Sequence, residues 1–434
     1  MNFVKKLHSC VLLSSLLLTV VVVTSAQICS IKTSPGEVDR EFDTVFTQNG
    51  PGWTGADSTY SIRLPNGDSV FFFSDSYIAE SPSRAGDGTV SIDGSGIRRR
   101  QANCHPPYCD PPTALFYSKN SLVVREKTGR LRTLTGPPDA NGFSSSFFKL
   151  PTGSDPTHYY WLGDSVVVPS NDRGEWKLWV FLMEFDPKLA YFGTAIAQLS
   201  IPTLKIESIQ KLSGTEGSTV AWGSSVLLEK RSGTPVLYIY GIQNKQKING
   251  KVPYLAKVDP QKGVSTVSVA SNWTVWNGSD WVKGVTNATQ VIGAPTDPNN
   301  AGDQISDEFS VKRLRTGAGD VYVLVGMDTT IPFGKWKHIT LYSACRPEGP
   351  WSSKQVVYTT PEAESKRVPG MNETQSLAGP LVVYNPHLHP QFTNEKGLLI
   401  SYNINTSKAE DLMFADSYRP HFFRVKIAGL KISQ

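Results

Sequence analysis

The amino-acid sequence predicts an all-β fold, a single five-bladed β-propeller, and three observations carry that expectation. Aromatic and turn-forming residues are abundant, with 10 Trp, 16 Tyr and 19 Phe beside 36 Gly and 29 Pro in 434 residues, while helical patterns are nearly absent. From about residue 40 onward, short β-branched and aromatic runs alternate with Gly, Pro, Asn and Asp turns, the pattern of a sandwich, barrel or propeller. A strand-turn-strand unit with a polar residue at its open end then recurs at intervals of about 60 to 110 residues, and repetition on that scale selects the propeller.

Residues 1–26 read as a processing segment, with Lys5 and Lys6, an apolar middle from Cys10 to Val23, and Thr24-Ser25-Ala26 as the cleavage site. Residues 27–434 are expected to form the propeller domain, secreted to the extracellular side, because no later apolar run approaches the roughly 20 residues of a membrane span. An uncleaved anchor is the alternative. Of the five cysteines, Cys10 lies in the leader. The even set Cys29, Cys104, Cys109 and Cys345 suits an oxidising compartment. Cys104 to Cys109 reads as a small disulfide loop, with a zinc site through His105 as its rival, and Cys29 is left to pair with Cys345 by elimination. Sequons at Asn272, Asn277, Asn287, Asn372 and Asn405 are candidate glycosylation sites. The net charge of +5 is small for this length, and basic residues are scattered apart from Arg98-Arg99-Arg100. That triplet reads as a solvated or protease-sensitive loop, so no nucleic-acid partner is expected. A monomer is.

The first blade (about 48–135) opens on Gly52 to Ser61, a strand run that continues as Ile62-Arg63-Leu64, turns at Pro65-Asn66-Gly67-Asp68 and returns through Ser69 to Asp75. Because the chain goes out and comes back, Asp57 and Asp75 are expected at the same end of the hairpin, opposite the turn. Ala114 to Ser118 is the candidate third strand. The second blade (about 158–212) starts at Gly163-Asp164 and returns through Trp176 to Met183. The third (about 219–285) starts at Trp222-Gly223-Ser224 and the fourth (about 305–360) at Asp307-Glu308. The fifth (about 380–430) starts at Asn385-Pro386-His387. The run Glu41 to Thr47 is a candidate strand closing the ring onto the last blade.

In this arrangement Asp57, Asp164 and Glu308 face one axial funnel. Convergent carboxylates are what glycosidic-bond cleavage requires, one protonated for the leaving oxygen and one ionised for water or the anomeric carbon. Against this stands the structural reading, in which acids at strand starts bind neighbouring backbone; for the set of three we favour chemistry. Asp75, Asp307, Asn385, His387 and Arg419 are candidate supporting or substrate-binding groups. Trp53, Tyr60, Trp161, Trp222 and Ser224 are candidate funnel-lining residues, the flat rings being suited to stacking on sugars. His387 with His389 is a weak metal pattern, so no cofactor is expected beyond a structural ion in the channel. No nucleophile elbow, phosphate loop or dinucleotide fingerprint is present.

Several of these stretches, Gly52 to Ser61 with Phe72-Phe73-Ser74-Asp75, Trp222-Gly223-Ser224, Trp276 to Val282, Glu308-Phe309-Ser310-Val311, Glu348-Gly349-Pro350-Trp351 and Tyr384-Asn385-Pro386, give the chain a resemblance to a family. It resembles secreted five-bladed propellers formerly of unknown function that include endo-acting D-arabinofuranosidases. More distantly it is similar to arabinanase and invertase-like propeller hydrolases, which carry an acid on the first blade and a Glu on the fourth. Asp57 and Glu308 fall where that plan implies; the middle acid departs from it, since the third blade has Trp222-Gly223-Ser224 and Asp164 lies on the second. The expectation is a glycoside hydrolase acting on an extracellular, furanose-containing polysaccharide. In it Asp57 is base or nucleophile, Glu308 the acid and Asp164 a positioning group. A carbohydrate-binding propeller without catalysis is the alternative, and a cell-surface scaffold a third.

Overall fold

The computed structural model describes residues 29–79, 90–100, 118–139, 143–170, 174–216, 218–231, 233–243, 251–292 and 304–431. The expected leader, residues 1–26, and the expected disulfide loop of Cys104 to Cys109 with His105 lie outside them. The chain enters through β1 (Glu37–Val38) and a short helix α1 (Arg40–Val45) and then lays down the blades in order.

Blade 1 begins with one long interrupted hairpin, β2 (Gly52–Ala56), β3 (Tyr60–Arg63), β4 (Ser69–Phe73) and β5 (Ser76–Ala79). After a side hairpin of β6 (Val90–Ile92) and β7 (Arg98–Arg100), β8 (Ser121–Arg125) and β9 (Leu131–Leu134) complete the sheet β3-β4-β8-β9. The third strand is therefore Ser121–Arg125, a few residues past the expected Ala114 to Ser118. A small pair, β10 (Gly136–Pro138) and β11 (Ser144–Ser145), leads to blade 2, made of β12 (Tyr159–Pro169), β13 (Trp176–Phe185), β14 (Tyr191–Ser200) and β15 (Ile206–Lys211). Blade 3 is β16 (Val220–Arg231), β17 (Thr234–Gln243), β18 (Pro253–Val258) and β19 (Thr274–Trp276), extended by β20 (Trp281–Val282). Blade 4 is β21 (Ser310–Thr316), β22 (Gly319–Met327), β23 (His338–Ala344) and β24 (Gln355–Thr359). Blade 5 is β25 (Leu381–Asn394), β26 (Gly397–Thr406) and β27 (Arg419–Val425), with β1 as its outermost strand.

The five sheets form a five-bladed β-propeller. A neighbouring blade covers each side of a sheet, and β4, the second strand of blade 1, accordingly reads Ser-Val-Phe-Phe-Phe with no exposed position. Five apolar clusters fill the five seams. One example is Tyr60, Val70 and Leu122 of blade 1 against Leu178 and Val180 of blade 2; another is Phe71 and Phe73 against Leu399 and Phe422 of blade 5. Closure uses β1 on β27 through Glu37↔Arg424 and Val38↔Phe423, and the Cys29–Cys345 disulfide ties the N-terminal segment to the end of β23. The strand expected at Glu41 to Thr47 is instead mostly α1. Asp39 caps it by accepting from the Phe42 amide at 2.9 Å, and Glu41 and Asp43 sit in its first turn, where negative charge favours a helix.

The Arg98-Arg99-Arg100 stretch is a strand with two of its three side chains buried, not a solvated loop. Arg98 pairs with Asp416 at 2.6 Å. Arg100 donates to the carbonyls of Leu412, Thr54, Ala415 and Tyr418 and lies over the Tyr77 ring. Buried guanidinium groups need such partners, and five donors in a rigid fork meet several carbonyls at once. A Cβ on Gly55 would come within 2.2 Å of Arg100 and 2.3 Å of the Tyr418 carbonyl, so this crossing needs a glycine there.

Candidate active site

The inner strand of most blades is broken at one level. Register shifts fall at Leu162/Ser165 in β12, Trp222/Ser225 in β16 and Tyr384/His387 in β25. In blade 1 the chain leaves β2 at Ala56 and re-enters β3 at Tyr60, with Ser58 and Thr59 both at positive φ (74° and 57°). Such breaks re-aim side chains out of the ladder, here toward the axis. Two non-glycine residues in the left-handed region are costly. Their conformation is held by Asn403, whose amide donates to the Ala56 carbonyl and to Thr59 Oγ1. The hairpin keeps its ends together as expected: the Asp57 amide donates to the Asp75 carbonyl at 3.3 Å and the Ser74 amide to the Asp57 carbonyl at 3.1 Å. The turn at Leu64 to Asp68 closes the far end.

Asp57, Asp75 and Glu308, each partly open to solvent, form the acidic floor. Ser58 links blades 1 and 4, its Oγ lying 2.8 Å from both Ser74 Oγ and Glu308 Oε1 and able to donate to either. Tyr384 Oη donates to Asp57 Oδ2 at 3.0 Å, and Asn405 donates to that same Tyr hydroxyl. Asp57 Oδ1 is buried and makes no hydrogen bond among the described residues. Asp75 accepts from the Trp161 indole at 3.0 Å, with Lys119 Nζ at 3.6 Å. Tyr418 donates to the Asp75 carbonyl. Below Glu308, the buried His387 places Nε2 3.0 Å from Oε2, and its ring lies against Tyr60.

Burial, and then the charge of Asp75, push the Asp57 carboxyl up to about 7, against the opposing hydroxyls of Tyr418 and Tyr384 and the Lys119 charge. Glu308 is raised well above the ordinary glutamate range by burial first and then by the Asp57 charge. Asp75 is raised by burial, with Lys119 and Trp161 opposing. His387 is held well below its ordinary value by burial, His389 and Lys312, so it meets Glu308 as a neutral ring. A neutral imidazole can accept from a protonated Glu308 or donate to an ionised one, and so orients the carboxyl in both states.

The other candidates separate from this floor. Asp164 is buried and engaged through both oxygens: Oδ1 accepts from the Ser165 amide, and Oδ2 from the Val226 amide, Ser225 Oγ and Lys312 Nζ at 2.6 Å. It clamps the inner strands of blades 2, 3 and 4 and, at 1% exposure, is closed to a ligand; positioning is what remains of its expected role. Asp307 is exposed and pairs with Lys251. Trp53 and Trp222 are core residues, 3% and 0% exposed, in contact with Phe46 and Trp273 respectively. Neither is placed to stack on a ligand. Ser224 is buried, and its carbonyl accepts from Tyr60 Oη. Asn385 adopts φ 52° in the β25 break. Arg419 pairs with Asp416, not with an acid of the floor. His389 lies between Ser61 and Ser401 hydroxyls, deeper in the channel. Among the described residues no group of three or more His, Cys, Asp or Glu could hold a metal.

Of the sequons, Asn272, Asn287 and Asn372 are exposed and Asn277 is partly so. Asn405 differs: its amide nitrogen is committed to Tyr384 beside Asp57, so a glycan there would displace a contact of the site. Sequence reasoning did not find Ser58, Lys119 or Tyr384 as site residues. The one available signal was positional, since Tyr384 precedes the β25 break as Trp222 precedes that of β16.

Fold and floor together define a five-bladed β-propeller with a carboxylate cluster in its axial funnel. The chain belongs to the family described as Domain of unknown function (DUF5005), whose model matches residues 39–91 and 111–427. No curated protein matches it. Among solved structures, a protein from Bacteroides ovatus ATCC 8483, provisionally described as a hydrolase, superposes with a TM-score of 0.60 at 19% identity, over 93% of this chain and 96% of its own. The GH43_1 enzyme from Xanthomonas citri is similar at 10% identity and a TM-score of 0.45, over 90% and 89% of the two chains. A thermostable family-43 glycoside hydrolase is similar at 12% and 0.39, over 88% and 95%. At these identities the likeness is one of chain path, and the last two carry no further argument.

Proposed function

We propose that the protein is a secreted glycoside hydrolase acting on an extracellular polysaccharide, with Glu308 as general acid and Asp57 as base or nucleophile. The observation that supports this best is electrostatic: two carboxyls from blades 1 and 4, brought together where Ser58, next to Asp57 in the chain, hydrogen-bonds Glu308, both have raised proton affinity but different surroundings. Glu308, whose proton affinity is raised well above that of an ordinary glutamate by burial and the Asp57 charge and which is flanked by neutral His387, is the proton donor to the leaving glycosidic oxygen. Asp57, whose affinity is centred at about 7, is ionised in a useful fraction of molecules. Asp75 stays beside Lys119 and tunes Asp57 through its charge. In the first step the Glu308 proton passes to the departing oxygen as the C–O bond breaks. The Asp57 carboxylate takes either the anomeric carbon or a proton from the attacking water, and the anomer formed first, read by NMR, distinguishes the two. The furanose-containing substrate suggested by family resemblance is part of this proposal.

The test is incubation with soluble arabinans, arabinoxylan, xylan and galactan, followed by reducing-end and product analysis. New reducing ends with the wild type that vanish in Glu308→Gln and Asp57→Asn support the reading. Retention on a glycan without cleavage makes the protein a carbohydrate-binding propeller instead.

A further inference from the structure

A line of aromatic rings leaves the acidic floor and runs outward along blade 2. It starts at Trp161, whose indole N–H is bonded to Asp75. The Trp161 ring lies 5.0 Å from Phe185, and Phe185 lies 5.8 Å from Tyr191, centroid to centroid. Strand register explains the line, since Tyr159, Phe185 and Tyr191 are direct cross-strand neighbours at the funnel end of β12, β13 and β14. Trp161, Phe185 and Tyr191 are all partly exposed. At its outer end Leu189, in the β13–β14 connection, and Phe192, at the start of β14, are 60% and 53% exposed, the second resting on His158 at 4.2 Å. Gly193, at φ 144°, lies at the register shift that leaves Phe192 out of the ladder.

We infer that this ridge is a set of sugar-binding subsites, so that the enzyme takes hold of an extended polysaccharide chain on the blade 2 side of the bond it cuts. The inference rests on the hydrolase reading of the floor. Leu189 and Phe192 carry exposed apolar surface on from the end of the row at Tyr191, and a contiguous apolar patch of this kind marks a binding surface. A glycan suits the row: its C–H faces stack on flat rings, and its hydroxyls meet the polar groups beside them, Lys119 at Tyr159 and the exposed Lys211 that is anchored by Glu184. The row is continuous with the floor through a hydrogen bond, so a chain lying on it is delivered to the acids. Two ring-to-ring steps exceed the width of one sugar ring, which makes the ligand a polymer segment and not a single terminal residue.

The experiment uses the full chain carrying Glu308→Gln, which stops turnover so that binding can be read. Affinity electrophoresis is run in gels containing arabinan, arabinoxylan, xylan or galactan. Phe192→Ala and Leu189→Ser in that background are compared with Trp176→Ala, an exposed aromatic at the opposite end of the same blade. Folding of each is checked by thermal melting. The expected result is retardation of the parent protein that weakens about fivefold to tenfold in the Phe192 and Leu189 variants and persists in the Trp176 variant. In the enzyme without Glu308→Gln, Phe192→Ala should raise KM for the polymer more than for a trisaccharide. Retardation or turnover that Phe192→Ala leaves intact, or that Trp176→Ala reduces equally, overturns the ridge while the hydrolase reading stands. A parent protein that is not retarded and a wild type that releases no reducing ends overturn both.

Discussion

Replacing Asp57 by Asn should stabilise the protein at alkaline pH while destroying its activity. Burial and the Asp75 charge raise the Asp57 carboxyl from 3.8 to about 7. The folded protein therefore binds that proton more tightly than the unfolded chain by roughly 3 pH units, about 4 kcal/mol at 1.36 kcal/mol per unit, with solvent screening at this partly open position making it an upper figure. A folded pKa above the unfolded one supplies stability that is complete below about pH 4 and is lost as pH rises through about 7. Asn carries no charge to desolvate, and its carbonyl can still accept from Tyr384. For 434 residues, with about 2.1 cal/mol/K of unfolding entropy each, 1 kcal/mol moves the midpoint by about 1 °C. Scanning calorimetry should thus find the variant melting about 3–4 °C above wild type at pH 8.5, with the difference closing by pH 4. An equal difference at both pH values, or a less stable variant at pH 8.5, would refute the reasoning.

Glu308→Gln should lower kcat by about 10²–10⁴ with the fold retained. The wild-type rate should follow a bell in pH whose acid limb lies near 7, where Asp57 ionises, and whose alkaline limb reports Glu308; an acid limb near 4 would remove Asp57 from the base role. Arg100→Met strips donors from four carbonyls, those of Leu412, Thr54, Ala415 and Tyr418. It should cost about 3 kcal/mol or more by urea unfolding, and a loss under about 0.5 kcal/mol would show that the crossing is not structural. Cys29→Ser opens a link across 316 residues and should cost about 2–5 kcal/mol; the same loss should appear in wild type under reductant, and melting curves unmoved by reductant would count against it.

Locally encoded features were legible in the sequence. The Pro65-Asn66-Gly67-Asp68 turn and the apolar run of β4 dictate a hairpin, and a hairpin by itself brings Asp57 next to Asp75. Five such units implied five blades because each sheet needs a neighbour on both faces. Where the signal was local but ambiguous, the reading slipped by a few residues: the closing strand is Glu37–Val38, and Glu41 and Asp43, which looked like part of a strand beyond it, sit in the first turn of a helix.

Tertiary structure decided which polar and aromatic residues face substrate. Asp164 and Asp57 look alike in sequence, each an acid at a strand start. The break in β12 turns Asp164 into Ser225, Val226 and Lys312 of the next two blades, whereas the paired left-handed residues after Asp57 leave it open on the floor. Trp53 and Trp222 went to the core, and Arg98 and Arg100 found partners more than 300 residues away, at Asp416 and at the carbonyls of Leu412, Ala415 and Tyr418. The bridge from Ser58 to Glu308 spans 250 residues. Period and turn chemistry act over a few residues and are written in the chain itself; the burial that sets a carboxyl's proton affinity comes from neighbours that only ring closure supplies.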